Sequence, residues 1–351
     1  MRKKLNTIQF IRGIAILFVM AFHANYMFSE RYDFSFFNIG NWHSRSGGVD
    51  LFFAVSGLMI YYINQNNFGL KQKAVLFLKK RIIKIIPLYW MLTFVGFGIC
   101  VVLPQLGDPK DGTISNTLLS MFFLHPDPTV GVAWSLRHIL FFYIIFAILI
   151  SFPNKIIKGI IFTWLAVSLL CVAGILPFEK LSSFLFSINN IEIWSGALVG
   201  YLSSRIRIKN EKLVIFMGVM CYMFIWVTNS LEVLNIPNKL IFFCIGSVFI
   251  LTGVMSIDLR RDVKMPRILT YIGDASYSIF LSHVQCILFF MLVFDKLNIM
   301  QLIGKDITLV LIMILSPAMG IVLHEVMEKP IDSFLRKKLI VNNKQPRKLT
   351  A

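Results

Sequence analysis

Residues 8–28 read IQFIRGIAILFVMAFHANYMF, an apolar run interrupted by Arg12 and His23. Its length suits a helix crossing a bilayer core of about 30 Å. A cation and an imidazole are costly inside such a segment and mark function by default. On a helix, eleven residues advance about 16 Å in roughly three turns, which places both side chains on one face. That face carries a fixed positive charge near one end and a titratable base further along. The pattern suits a long anionic ligand whose reactive end reaches into the membrane.

The same kind of segment recurs along the chain. The sequence has 351 residues, is 57% hydrophobic and has a mean hydropathy of +0.73, which excludes an ordinary soluble globule. Ten apolar spans are expected, at 8–28, 48–63, 87–105, 131–152, 159–176, 188–203, 213–230, 240–257, 272–293 and 307–326, the second and sixth being short. A further apolar piece, 117–124, is too short to span and reads as re-entrant or interfacial. The fold class is therefore an all-α polytopic membrane protein of about ten transmembrane helices.

The net charge of +17 is mainly topogenic. With the N-terminus inside, the connections on the cytoplasmic side hold 26 of the 35 Lys and Arg, which predicts both termini cytoplasmic. This distribution argues against a nucleic-acid partner and for contact with membrane lipids. The first segment is expected to be retained, since Arg12 and His23 break the core a signal peptide would need. The five cysteines lie singly in apolar spans, so neither a disulfide framework nor a metal site is expected. Residues 1–330 read as one membrane domain and 331–351 as a short basic cytoplasmic tail.

Several polar positions stand out against this background. In GGVDLFFAVSGLMI, residues 47–60, Gly47-Gly48 permit a tight turn and Asp50 falls in a first helical turn, where a carboxylate is favoured. Ser56-Gly57 allow close approach of a neighbouring helix or a ligand. In KQKAVLFLKKRIIKIIPLYW, residues 71–90, basic residues alternate with apolar ones, and Pro87 is expected to start the next helix. Such a segment contacts anionic lipid, or Arg81 holds donor phosphates through its guanidinium fork. Trp134, Arg137 and His138 sit together at the expected outer end of the fourth span. They bind a polar acceptor, with Trp134 as a wall for a sugar face, or form an aromatic belt with a snorkelling arginine. Glu192 lies within apolar sequence and needs an intramembrane partner, for catalysis or for a structural ion pair. In YIGDASYSIFLSH, residues 271–283, Asp274 is expected to cap a helix whose small hydroxyl residues, Ser276 among them, can receive phosphate. His283 lies on the face of Ser276. With His324 and Glu325 of the closing HEVMEKP, it reads as a structural polar contact.

Taken in order, these strings resemble the membrane-bound acyltransferase 3 family of bacterial glycan O-acyltransferases. The resemblance runs over nearly the whole chain, through Gln9-Phe10-Ile11-Arg12 to His23, GGVDLFFAVSG, the FLKKRIIKIIPLYW block, WSL, GDASYSIFLSH and HEVMEKP. The Gln9-x-x-Arg12 opening and the PLYW block are most similar to the exopolysaccharide-production subgroup. The resemblance implies transfer of an acyl group, most often acetyl, from cytoplasmic acyl-CoA to a sugar hydroxyl of a surface glycan or its lipid-linked precursor. Acetyl-CoA is then the donor co-substrate, no metal is required, and the setting is the bacterial cytoplasmic membrane.

The resemblance makes His23 the leading catalytic residue, with Glu192 and Asp50 as candidate acidic companions. Arg12, Arg81, Lys84 and Ser276 become donor-binding residues, and Trp134, Arg137 and His138 acceptor-binding ones. Lys84 stands where the family usually has a second arginine. Ile139 stands where the family usually carries a glutamate, five residues after the Trp of WSL, so either Glu192, Asp50 or His138 supplies that polarity to His23 or the chain has weakened or altered chemistry. A glycan transporter and a non-catalytic acyl-CoA sensor or scaffold are the rival readings. A homo-oligomer or a glycan-assembly complex is left open.

Overall fold

The computed structural model describes residues 5–36, 46–102, 112–176, 183–206, 208–231 and 238–341. Among them every regular element is helical. In chain order these are α1 (Asn6–Tyr32), α2 (Gly48–Asn64), α3 (Lys71–Val102), α4 (Ile114–Met121), α5 (Trp134–Ser151), α6 (Lys155–Val172), α7 (Ile188–Ser203), α8 (Glu211–Leu231), α9 (Leu240–Arg260), α10 (Arg267–Asp274), α11 (Ser276–Lys296), α12 (Ile299–Leu323) and α13 (Lys329–Arg336). A π-helical turn, His324–Glu328, joins α12 to α13.

Eight helical stretches among the described residues are long and apolar enough to cross a membrane. They correspond to all the expected spans except the second and sixth, which form α2 with 17 residues and α7 with 16. The chain is thus a polytopic helical membrane protein. Its surface agrees: in α6, Ile156, Ile160 and Phe162 are 63–74% exposed, while Ser168 and Cys171 are buried. A helix that turns its apolar side outward requires hydrocarbon around it.

Two sequence expectations are corrected. Pro87 does not start a helix; it lies inside α3, which runs unbroken from Lys71. Proline removes the main-chain donor that would bond the Ile83 carbonyl; two residues further on, the Ile85 carbonyl accepts from the Tyr277 hydroxyl (2.7 Å). Asp274 is not a cap either. It ends α10, and Ala275 separates it from α11 without a side-chain cap. Elsewhere helices are capped locally: Thr113, Asn154 and Ser187 accept from the first-turn amides of α4, α6 and α7.

The chain divides into two compact units. The first comprises residues 1–66, 154–276 and 283–318. Its densest packing is α2 against α7, where the backbones touch. A Cβ on Gly57 would stand 1.7 Å from the Ile193 carbonyl oxygen, and one on Gly196 would stand 1.8 Å from that of Ala54. Helix association in lipid has little hydrophobic drive, so such small-residue contacts supply van der Waals attraction instead. The close approach expected at Gly57 is therefore made by α7. Ser56 turns back to its own helix and donates to the Phe52 carbonyl (2.8 Å). Around this crossing, Leu51, Ala54 and Leu58 of α2 pack with Ile225 of α8 and with Phe243, Leu251 and Val254 of α9.

In the same unit, α1 is capped from a distance. Leu5 at its N-cap offers no side-chain acceptor, so the first amides depend on Asp258 of α9. That carboxylate accepts from Thr7 N (3.0 Å to Oδ2) and Ile8 N (3.1 Å). A negative charge at a helix N-terminus satisfies orphan donors and complements the helix dipole. Two bonds to a buried, 2%-exposed carboxylate thus fix where α1 begins, and with it the height of Arg12 and His23.

The second unit comprises residues 67–153, 277–282 and 319–351. Here α4, the piece read as re-entrant or interfacial, is fastened to α3. Tyr89 donates to the Ser120 carbonyl (2.7 Å) and Trp90 to that of Met121 (3.0 Å). α5 packs along α3 through Phe77, Tyr143 and Phe146.

Replacing Gly57 or Gly196 with Ala is expected to part α2 from α7, at about 1–3 kcal/mol each. The unfolding midpoint in detergent should drop, whereas Gly159→Ala, with nothing within 4 Å of its added Cβ, should leave it unchanged. Asp258→Ala should cost about 1–3 kcal/mol by orphaning buried amides. Hydrogen exchange should then accelerate over the first turn of α1, with α5 unaffected.

Candidate functional site

Two glycines set the geometry around Arg12. A Cβ on Gly13 would lie 2.2 Å from the Leu269 carbonyl oxygen, and one on Gly273 would lie 2.1 Å from that of Gln9. The helices α1 and α10 therefore cross backbone to backbone, and the break after Asp274 delivers the start of α11 to α1. Arg12 Nη2 donates to Ser276 Oγ (2.7 Å) and Nη1 to Gln9 Oε1 (3.0 Å). Gln9 in turn donates from Nε2 to Asp274 Oδ1 (2.9 Å). The guanidinium also lies 6.0 Å from the centroid of the Phe52 ring. Carbonyl, hydroxyl and ring together hold the fork in one orientation, with Asp274 balancing its charge through Gln9.

The other end of the pair repeats the pattern. His23 packs on His283 with ring centroids 5.0 Å apart and planes tilted by 54°, and it meets Phe22 edge-on. Ser276 and His283 are both fully buried and lie seven residues apart on α11. One face of α1, carrying Arg12 and His23, thus meets one face of α11, carrying Ser276 and His283. Arg12 and Ser276, both read from sequence as donor-binding, are thus in hydrogen-bond contact. His283, read from sequence as a structural contact, is the imidazole nearest the candidate catalytic residue. A signal existed for it, since its seven-residue spacing from Ser276 already placed both on one face.

Asp50 and Glu192 also belong to the first unit. Both are fully buried, Asp50 in the first turn of α2 and Glu192 in α7. Both are within electrostatic reach of Tyr222 on α8. The Tyr222 hydroxyl bonds the Gly47 carbonyl (3.1 Å) and Ser247 Oγ (2.7 Å), and Gly47 takes a left-handed φ of 83° at the head of α2. The carboxylates therefore belong to a polar group built on α2, α7, α8 and α9. The described contacts of His23 are the two rings named above.

The remaining candidates fall in the second unit. Trp134 and His138 pack edge to face at the start of α5 with centroids 6.2 Å apart, His138 is buried, and Arg137 between them is half-buried. Ile139 is buried on the same helix. Lys84 is ion-paired with Glu328, which also accepts from Ser278 Oγ and bonds His324 Nδ1 at 2.7 Å. Glu328 and His324 are each 3% exposed and bracket the π-helical turn, a feature often found at functional positions. Lys84 thus brings a partly neutralised ammonium to any anion. Arg81 lies between two rings, Phe77 and Tyr143, with its Cζ 5.6 Å from each centroid.

No solved structure is significantly similar to the chain. The exopolysaccharide production protein ExoZ of Rhizobium meliloti (strain 1021) is 24% identical over 304 residues, which cover 82% of this chain and 89% of that protein. The sequence profile of a family described as an acyltransferase domain matches residues 5–323. That match takes in Arg12, His23, Ser276 and His283, and by it the chain belongs to this acyltransferase family.

Proposed function

We propose that the protein is an O-acyltransferase of the bacterial cytoplasmic membrane. It moves an acyl group, acetyl first among them, from cytoplasmic acyl-CoA to a sugar hydroxyl of an exopolysaccharide or other surface glycan, or of its lipid-linked precursor. The observation that carries this reading is the shared face of α1 and α11, with Arg12 on Ser276 at one end and His23 on His283 at the other. The name of the Rhizobium relative, an exopolysaccharide production protein, supports the glycan as acceptor. On this reading the chain crosses the membrane about ten times with both termini cytoplasmic, Arg12 on the donor's side and His23 toward the acceptor's.

In this scheme Arg12, oriented by Gln9 and Ser276, holds a phosphate of the donor, with Arg81 and Lys84 as further cationic donor contacts. The pantetheine arm lies along α1 and brings the thioester to His23. A neutral imidazole at His23 takes the proton of the acceptor hydroxyl as its oxygen attacks the thioester carbonyl. The C–S bond breaks, and the proton passes to the departing thiolate, giving the ester and CoA. The route through an acyl-His23 intermediate uses the same residue as nucleophile. Trp134, Arg137 and His138 are proposed to receive the acceptor, and Asp50 and Glu192 to supply acidic polarity to the catalytic centre.

His23→Ala in purified proteoliposomes is expected to lower acetyl transfer from labelled acetyl-CoA by about 10²–10⁴-fold. Membrane insertion and the elution profile should stay as in the parent. Full transfer by the variant would remove His23 from the chemistry. Tight acyl-CoA binding without turnover by the parent, given its acceptor, would favour the scaffold reading prompted by Ile139. Comparing surface glycans by mass spectrometry with and without the protein identifies the group transferred.

A further inference from the structure

The stretch after the last span, expected from sequence to be a basic tail, begins as helix α13, which packs on α3 within the second unit. This docking brings a second guanidinium to Arg81. The Nε of Arg81 is buried and has no hydrogen-bond partner among the described residues. Arg336 of α13 and Tyr143 of α5 are within electrostatic reach of Arg81. An Nε–H buried without an acceptor is costly, and a like charge close by raises that cost.

Arg336 is itself held in place. Its Nε donates to both oxygens of Asp332, one turn earlier, at 2.8 and 2.7 Å. That clamp occupies one edge of the guanidinium and leaves Nη1 and Nη2 without a partner among the described residues. Two cations are thus gathered from separate helices, one walled by aromatic rings and one oriented by a carboxylate. Phosphate oxygens are the acceptors that match such forks, bidentately and with neutralising charge.

We propose that Arg81 and Arg336 form a phosphate-ester site, with Asp332 as the positioning residue for Arg336 and with Phe77 and Tyr143 holding Arg81. The phosphate comes from the nucleotide end of the acyl donor, which rests on the function proposed above, or from an anionic lipid head group. In either case α13 belongs to the binding machinery and is more than a tail.

The test uses the full-length protein in nanodiscs of neutral lipid, titrated with pantetheine, 4′-phosphopantetheine, dephospho-CoA and CoA. The parent should gain affinity at the step that introduces the bound phosphate. Arg336→Gln should lose about tenfold at that step and leave pantetheine binding unchanged, and Arg336→Lys should restore part of the loss. Asp332→Asn should act in the same direction, more weakly. Arg336 is partly exposed, so these variants are expected to fold, and a parental thermal midpoint checks this. If the series is unaffected but Arg336→Gln abolishes stabilisation by anionic lipid added to the nanodiscs, the site stands and its ligand is lipid. If neither response moves, the site is overturned. A parent that binds no member of the series defeats the acyl-donor reading, while the lipid arm still decides the site.

Discussion

The backbone contact of α1 with α10 at Gly13 and Gly273 is the constraint on which the candidate site depends. With a carbonyl about 2 Å from where each Cβ would be, no other residue fits without moving a helix. Because α10 ends within a residue of α11, this contact also decides where α11 starts. Ser276 reaches Arg12 for that reason, and helical periodicity then carries His283 to His23 two turns further on. The capping of α1 by Asp258 supplies the second coordinate, the position of α1 along its own axis. One contact sets the distance between the two faces and the other sets their register.

Charge is managed in the same economical way in both units. An ionised group inside a membrane protein is tolerated only when several partners share it. Asp258 takes the first amides of α1, and Glu328 takes Lys84, Ser278 and His324. Each acid thereby ties together segments far apart in sequence, which makes it a specifier of the fold as well as a cost. Arg81 departs from this rule, since among the described residues its surroundings are two rings and another arginine. Under the proposed phosphate site, a bound ligand supplies the acceptor that Arg81 Nε lacks among the described residues.

The spans were legible because bilayer thickness imposes an apolar length that few other structures need, and the spacing of Arg12 and His23 was legible because helix geometry is periodic. Three things were not. Pro87 looked like a boundary, yet α3 runs through it, in a stretch that Tyr277, nearly two hundred residues away in sequence, bonds at the Ile85 carbonyl. Asp274 looked like a cap, but its acceptor is taken by Gln9, so tertiary contact overrode a local preference. The continuation of the last span into α13 was hidden because Lys329-Pro330 resembles a helix end. Pro at the first turn after a π-helical segment is compatible with a new helix instead. Each miss involves a partner distant in sequence or a change of helix type, neither of which composition or periodicity encodes.

Ile139 concentrates the remaining chemical question. An alkyl group at the position of the usual glutamate can neither accept a proton nor orient an imidazole, and it is buried on α5. The polarity recorded next to His23 is His283, in ring contact at 5.0 Å and tilted, a geometry of packing more than of an N–H···N bond. Under the proposed transfer, His23 takes a proton for as long as the C–S bond needs to break. A neutral imidazole beside it tolerates that transient charge better than an apolar wall would, because its ring dipole can answer it, while a second charged imidazole would oppose it. Under the proposed transfer, the group that the structure sets in ring contact with the base is thus a second imidazole, seven residues from the serine that Arg12 binds.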